Sequence, residues 1–196
     1  MCSDRGIGRQ PADGLDRARR DEPFFGGLLD VALHPDFATN ALVYLSYAGD
    51  GDGGANTEVA RGRLVDDRIE DLEVIFRARP KTRGSLHYGS RLLFASDGTL
   101  FITLGERYRG MDQAQDPSDH LGTVVRLNDD GTIPADNPFA DGDGGAPEVY
   151  SYGHRNVQGI AMRPSDGAVW THEHGPKGGD EINILRPGAN YGWPAI

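Results

Sequence analysis

The chain has 196 residues, 37% of them apolar, and a formal net charge of −10. That acidity excludes a nucleic-acid partner, which needs a basic face, and no apolar run approaches the ~20 residues of a membrane-spanning helix. The single cysteine, Cys2, excludes an intrachain disulfide, while 28 glycines and 12 prolines favour many short strands and turns over long helices.

Residues 1–22 are polar and charged, with no apolar periodicity and no secretory signal. They read as a disordered or foreign leader, and residues 23–196 as the folded part. Leu28–Leu33 follows Gly26-Gly27 and ends at His34-Pro35-Asp36, which predicts a short strand and a Pro-Asp turn. Residues 42–47 are rich in β-forming side chains and predict a second strand. Residues 48–56 read as a Gly/Asp loop, and 58–64 and 74–76 as strands three and four of one antiparallel sheet.

The pattern then recurs. Residues 91–94, a turn through Asp97-Gly98 and residues 99–104 form a second unit. Residues 159–162, a turn through Asp166-Gly167 and residues 168–171 form a third. Between them, 123–127 predicts a strand, 128–131 a turn, and 134–145 a solvated loop whose acids match no full calcium-loop spacing. The turn aspartates Asp36, Asp97 and Asp166 recur after 61 and 69 residues. This interval exceeds a ~40–50-residue repeat but fits propeller blades with long insertions; a β-sandwich is the alternative. About three units are visible, where a closed propeller needs four to eight blades. The expectation is part of a longer protein.

In a propeller, loops from distant parts of the chain converge at one end of the axis. His87 is a candidate general base there, and needs an orienting acceptor. Glu106, just after the next strand, is the candidate for that acceptor. Arg155 offers a guanidinium to a developing oxyanion, and Asn156 an amide donor to a carbonyl. The run 172–183 leaves a strand at Val169-Trp170, and its glycines and Pro176 hold carbonyls open. Those carbonyls with Glu181 are the hard oxygen donors that calcium takes. Each feature also has a plainer reading, as a turn histidine, a surface ion pair or a simple Gly/Pro turn.

Taken together, the stretches 27–37, 87–92, 153–159, 173–181 and 190–194 resemble, in order, the soluble quinoprotein aldose sugar dehydrogenases. These belong to the glucose/sorbosone dehydrogenase family and use pyrroloquinoline quinone (PQQ). The resemblance implies an all-β, six-bladed β-propeller, with about three blades present here and PQQ and calcium on the axis. It implies oxidation of the anomeric carbon of an aldose to a lactone by hydride transfer to PQQ. His87 would take the hydroxyl proton, oriented by Glu106, and Arg155 and Asn156 would contact the quinone oxygens. The carbonyls of Gly175 and Pro176 match those holding the PQQ-bound calcium. Glu181 and Tyr191, the latter through its carbonyl, match calcium ligands of the aldose branch. Action in the periplasm or after secretion is also implied.

Two departures stand out. The family usually has a PQQ-touching glutamine where this chain has Phe25, and a phenyl ring cannot replace an amide's hydrogen bonds. The basic residues that clamp the PQQ carboxylates in the family come from later blades, so little activity is expected from this polypeptide alone. The competing functions are a non-catalytic, calcium-stabilised propeller that binds carbohydrate or protein, and a calcium-dependent lactone hydrolase, which would need several carboxylates converging on the metal.

Overall fold

The computed structural model describes residues 27–195. The leader at 1–22 and Phe25 lie outside the described residues. Strands β1 (Leu28–Leu33), β2 (Leu42–Gly51), β3 (Gly54–Val65) and β4 (Arg68–Arg77) form an antiparallel meander, as expected. A second meander contains β5 (Gly89–Phe94), β6 (Leu100–Leu104), β7 (Val124–Leu127) and β8 (Val149–Ser151). The third contains β9 (Val157–Met162), β10 (Val169–Glu173) and β11 (Glu181–Ile184). Helical structure among the described residues is confined to one turn, α1 (Phe37–Asn40), and a 3-10 turn at Asp112–Gln115.

The expected loop at 48–56 is instead the end of a long hairpin. β2 and β3 stay paired from Ala48↔Thr57 to Gly51↔Gly54. Small side chains permit this: a Cβ on Gly49 would lie 2.2 Å from the Glu58 side chain. Ladder pairing thus overrides local turn propensity. Glu181 likewise opens a strand rather than lying in a loop, because it pairs with Glu173 across β10. The acids of the 134–145 loop, Asp136, Asp141 and Asp143, are exposed as expected, and the loop is tied down beside them. Asn137 is buried and donates to Arg126 O and Pro147 O at 2.9 Å, and Asp136 accepts from Arg126 at 2.9 Å.

The first strand of each sheet, β1, β5 and β9, lies innermost. Arg91 on β5 donates to Leu29 O of β1 at 3.4 Å and to Gln158 O of β9 at 3.0 Å. The Leu92 amide donates to Asp30 of β1 at 3.0 Å. Three antiparallel sheets splayed about their inner strands make this a propeller-like fold. The core fills the wedges between sheets. On β6, Leu100, Ile102 and Leu104 face Tyr44, Val59 and Phe76 of the first sheet, while Phe101 faces Val157 and Val169 of the third. Strand alternation sends successive side chains to opposite wedges, so β6 is buried on both faces. Two of the three turn aspartates close their turns: Asp97 accepts from the Thr99 amide and Asp166 from the Ala168 amide. Asp36 makes no side-chain cap. Among the described residues no helix is long and apolar enough to cross a membrane.

A buried His120–Glu148 pair in the connections of the second sheet, tied to Arg79 just after β4, is expected to make the fold acid-sensitive. His120 Nδ1 accepts from the Arg79 amide at 2.9 Å, so Nε2 carries the proton and donates to Glu148 at 2.8 Å. Burial holds the His120 imidazole below its usual range. The His120 hydrogen bond, helped by Arg79, brings Glu148 down to about 2. Both groups bind protons more readily when unfolded, so stability falls as pH drops. His120 contributes first, below its unfolded value of ~6.5, and Glu148 between 4.5 and about 2. Urea midpoints measured from pH 7 to pH 3 should therefore fall, and Glu148→Gln should flatten the part below pH 4.5. An unchanged slope in that variant would assign the effect to other carboxylates.

Candidate active site

His87 sits in the loop between β4 and β5 with φ +55°, a left-handed conformation unusual for a side chain of its size. Its Nδ1 lies 2.8 Å from Glu106 Oε1. A carboxylate only accepts, so Nδ1 carries the proton and Nε2 keeps its lone pair for other work. Glu106 is buried at the end of β6, and its backbone amide donates to Arg155 O at 3.0 Å. Tyr108 meets the His87 ring edge-on, with centroids 5.4 Å apart. Gly105 makes the close approach possible, since a Cβ there would lie 2.2 Å from His87 O. Gly105→Ala should cost about 2–3 kcal/mol, as overpacking does, and displace His87. Urea unfolding and the His87 ring resonances would check this.

The next segment turns at Gly153, where φ is +75° and a Cβ would lie 2.1 Å from Asn190 Oδ1. Asn156 is buried, and its Oδ1 accepts from the Gly89 amide at 3.2 Å and from Gln158 at 2.9 Å. It thereby ties the histidine loop to the arginine loop. Arg155 donates from Nη1 to His174 O at 2.9 Å and lies over the Trp193 ring. Its Nε is buried without a partner among the described residues.

Behind Arg155 stands a buried relay. Ser151 Oγ lies 2.9 Å from His154 Nε2, and His154 Nδ1 lies 2.8 Å from Glu173 Oε1. Glu173 Oε2 accepts from the amides of Arg155 at 2.6 Å and Asn156 at 3.3 Å, and Asn183 donates to Oε1 at 3.2 Å. Burial pushes the Glu173 carboxyl up, but the His154 hydrogen bond and the two amides outweigh it and hold it below the usual range. His154 and Glu173 lie within the family-like stretches 153–159 and 173–181, where the sequence alone assigns neither a role. Strand alternation carried a signal for Glu173: in His172-Glu173-His174 both histidines are exposed and only the glutamate turns inward.

The 174–180 loop closes a cleft of about 300 Å³ lined by Arg155, Glu173, Gly175, Pro176, Glu181 and Trp193. Neither the Gly175 nor the Pro176 carbonyl accepts a hydrogen bond among the described residues. No group of three or more His, Cys, Asp or Glu side chains gathers for a metal among those residues. Four of the predicted site residues thus line one cleft. His87 and Glu106 adjoin it through the backbone of Gly105 and Arg155, with Asn156 between. Tyr191 does not line the cleft. Its ring stacks on His154 at 4.6 Å, and its hydroxyl donates to Ile184 O at 2.7 Å.

The family described as Glucose / Sorbosone dehydrogenase matches residues 5–196. The chain belongs to the glucose/sorbosone dehydrogenase family. Within that family it is 51% identical to the aldose sugar dehydrogenase YliI of Escherichia coli strain K12, over 86% of this chain and 46% of the relative. A crystal structure of a glucose dehydrogenase superposes with a TM-score of 0.84 at 51% identity, over 87% of this chain and half of that one. The PQQ-bound aldose sugar dehydrogenase of Streptomyces coelicolor superposes with a TM-score of 0.77 at 31% identity, over 90% of this chain and half of that one. The chain spans about half the length of the curated relatives it matches.

Proposed function

We propose that this glucose/sorbosone dehydrogenase chain serves the oxidation of an aldose at its anomeric carbon to a lactone, with PQQ as hydride acceptor and calcium as the bound cation. One observation carries the reading: a histidine held by a buried glutamate is hydrogen-bonded, through Gly105, Asn156 and Arg155, to a cleft of uncommitted carbonyls. In this reading residues 23–196 are the first half of the family's propeller, and the protein acts outside the cytoplasm.

The residues fit both groups. Two free carbonyls and the Glu181 carboxylate are hard oxygen donors of the kind calcium takes, and cofactor oxygens and water would complete its shell. Arg155, with an unpartnered buried Nε, fits an anionic or quinone oxygen. Tyr191 could contribute only its carbonyl, since its hydroxyl is engaged with Ile184 and Arg186. PQQ, when bound, supplies two-electron redox chemistry that no side chain can. The chain's own work is proton handling and placement. His87 Nε2 removes the anomeric hydroxyl proton, and Glu106 keeps the tautomer that leaves Nε2 free. Arg155 and the Asn156 amide orient oxygens, and Glu173 holds both backbones.

Titrating the protein with PQQ in the presence of calcium, followed by absorbance, tests the cofactor assignment. Arg155→Met should weaken binding at least about tenfold, the scale of one charge-assisted hydrogen bond. Dye reduction with an aldose, with lactone identified by mass spectrometry, tests the reaction. PQQ binding indifferent to Arg155, or no lactone formed with the family's remaining blades supplied, would overturn the reading.

A further inference from the structure

The residues around His87 hold an unusual concentration of left-handed backbone. His87, Ser90, Arg107 and Tyr108 have φ of 55°, 73°, 59° and 66°. Such conformations persist at functional sites only where the surroundings over-determine them. Arg107 does much of that here. Its Nη2 donates to Gly84 O at 2.6 Å, its Nη1 donates to Leu86 O, and its backbone amide donates to His87 O at 3.3 Å. Three carbonyls of the 84–87 loop are therefore held by one residue. The guanidinium is buried and lies 3.3 Å from the centroid of the Tyr88 ring, so the same loop also supplies its floor.

The arrangement is costly unless it serves a purpose. A guanidinium withdrawn from water is normally paired directly with a carboxylate. This one makes no direct ion pair among the described residues and donates to neutral carbonyls over an aromatic face. It leaves Nε unpartnered among those residues and feels the Glu106 charge only at longer range. Its planar fork can bridge two carbonyls two residues apart; an ammonium is a point donor and cannot reproduce that spacing. Directly before it in sequence stands Glu106, the acceptor for His87 Nδ1. One dipeptide thus holds the histidine from both sides: Glu106 fixes the ring, and Arg107 fixes the backbone that carries it.

We propose that Arg107 is a positioning residue for His87, clamping the 84–87 loop in its left-handed form so that Nδ1 meets Glu106 and Nε2 is presented to substrate. The consequence for turnover rests on the aldose dehydrogenase reading; the consequence for His87 geometry does not.

The test compares Arg107→Met and Arg107→Lys with the unsubstituted protein, using ¹H–¹⁵N resonances of the His87 ring and, with PQQ and calcium loaded, kcat and KM for an aldose. Arg107→Met removes the side-chain donors to Gly84 O and Leu86 O while keeping length, and leaves the backbone amide on His87 O. It should fold, lose the protected Nδ1–H resonance of the His87–Glu106 hydrogen bond, and lower kcat at least tenfold with KM changing less than threefold. Arg107→Lys should recover part of both signals. Folded Arg107→Met with His87 resonances and kcat as in the unsubstituted protein overturns the proposal. Should Arg107→Met not fold, Arg107→Lys decides: shifted His87 resonances in a folded chain support the clamp, and unchanged ones overturn it. Displaced ring resonances without turnover in any form, the unsubstituted protein with the family's remaining blades supplied included, would retain the clamp and remove the aldose reaction instead.

Discussion

On the proposed aldose dehydrogenase reading, His87→Ala is expected to lower kcat for aldose oxidation by a factor of about 10²–10⁴, the usual yield of a positioned general base. The argument rests on the ring's two nitrogens. Nδ1 is committed to Glu106 at 2.8 Å, which leaves Nε2 as the basic end. Glu106 is buried, and its second oxygen has no partner among the described residues, so its charge is directed mainly at the imidazole. Glu106→Gln preserves an acceptor for Nδ1–H but removes that charge, so a smaller loss of about tenfold is expected, in kcat rather than KM. Because His87→Ala also leaves the buried Glu106 carboxylate without a partner, it should unfold at a lower urea concentration than the unsubstituted chain while still folding. Steady-state dye reduction with an aldose, alongside circular dichroism, measures both quantities. Full turnover in His87→Ala would take the imidazole out of the chemistry.

Glu173→Ala is expected to destabilise the protein by about 3–5 kcal/mol, the scale of removing one partner from a buried hydrogen-bonded network around a charge. The glutamate satisfies His154, Asn183 and the amides of Arg155 and Asn156. Removing it strands three donors where water has little access, His154 Nδ1 and the two amides, while Asn183 keeps Glu181 as an acceptor at 3.1 Å. Glu173→Gln keeps one acceptor oxygen and should recover roughly half of the loss. The pH dependence follows from the depressed carboxyl. Its contribution is present above the unfolded glutamate value of ~4.3 and is lost as pH falls through the lower folded value. The same variant should weaken PQQ binding, because Arg155 and Asn156 are held through their own amides. Urea unfolding and a PQQ titration would separate the two effects. A Glu173→Ala chain as stable as its parent would show that the relay is dispensable.

Strand order and much of the site could be read from local pattern. β1 begins and ends where Gly26-Gly27 and Pro35 place it, and each strand–turn–strand unit appears as an antiparallel pair. Alternating apolar residues and Gly/Pro punctuation act over a few residues, so a linear reading captures them. β8 and β11 are too short, at three and four residues, to show a period of their own, and the tip of the β2–β3 hairpin is built of weak strand formers; in each case a neighbouring ladder makes the strand. His87, Glu106, Arg155 and the 174–181 loop were visible as chemistry-bearing residues at strand ends. Their supports were not.

The sequence by itself determined an acidic all-β chain of three repeating units, its family, and the side chains that chemistry would need. Only the tertiary structure decided which of them meet. It joined His154 to Glu173, His120 to Glu148, and the Arg107 guanidinium to the carbonyls of Gly84 and Leu86, and it set Tyr191 behind His154 instead of in the cleft. The physical reason is range: a strand's period is set by adjacent residues, whereas a buried donor finds its acceptor only after whole sheets have packed, and no spacing along the chain records that distance.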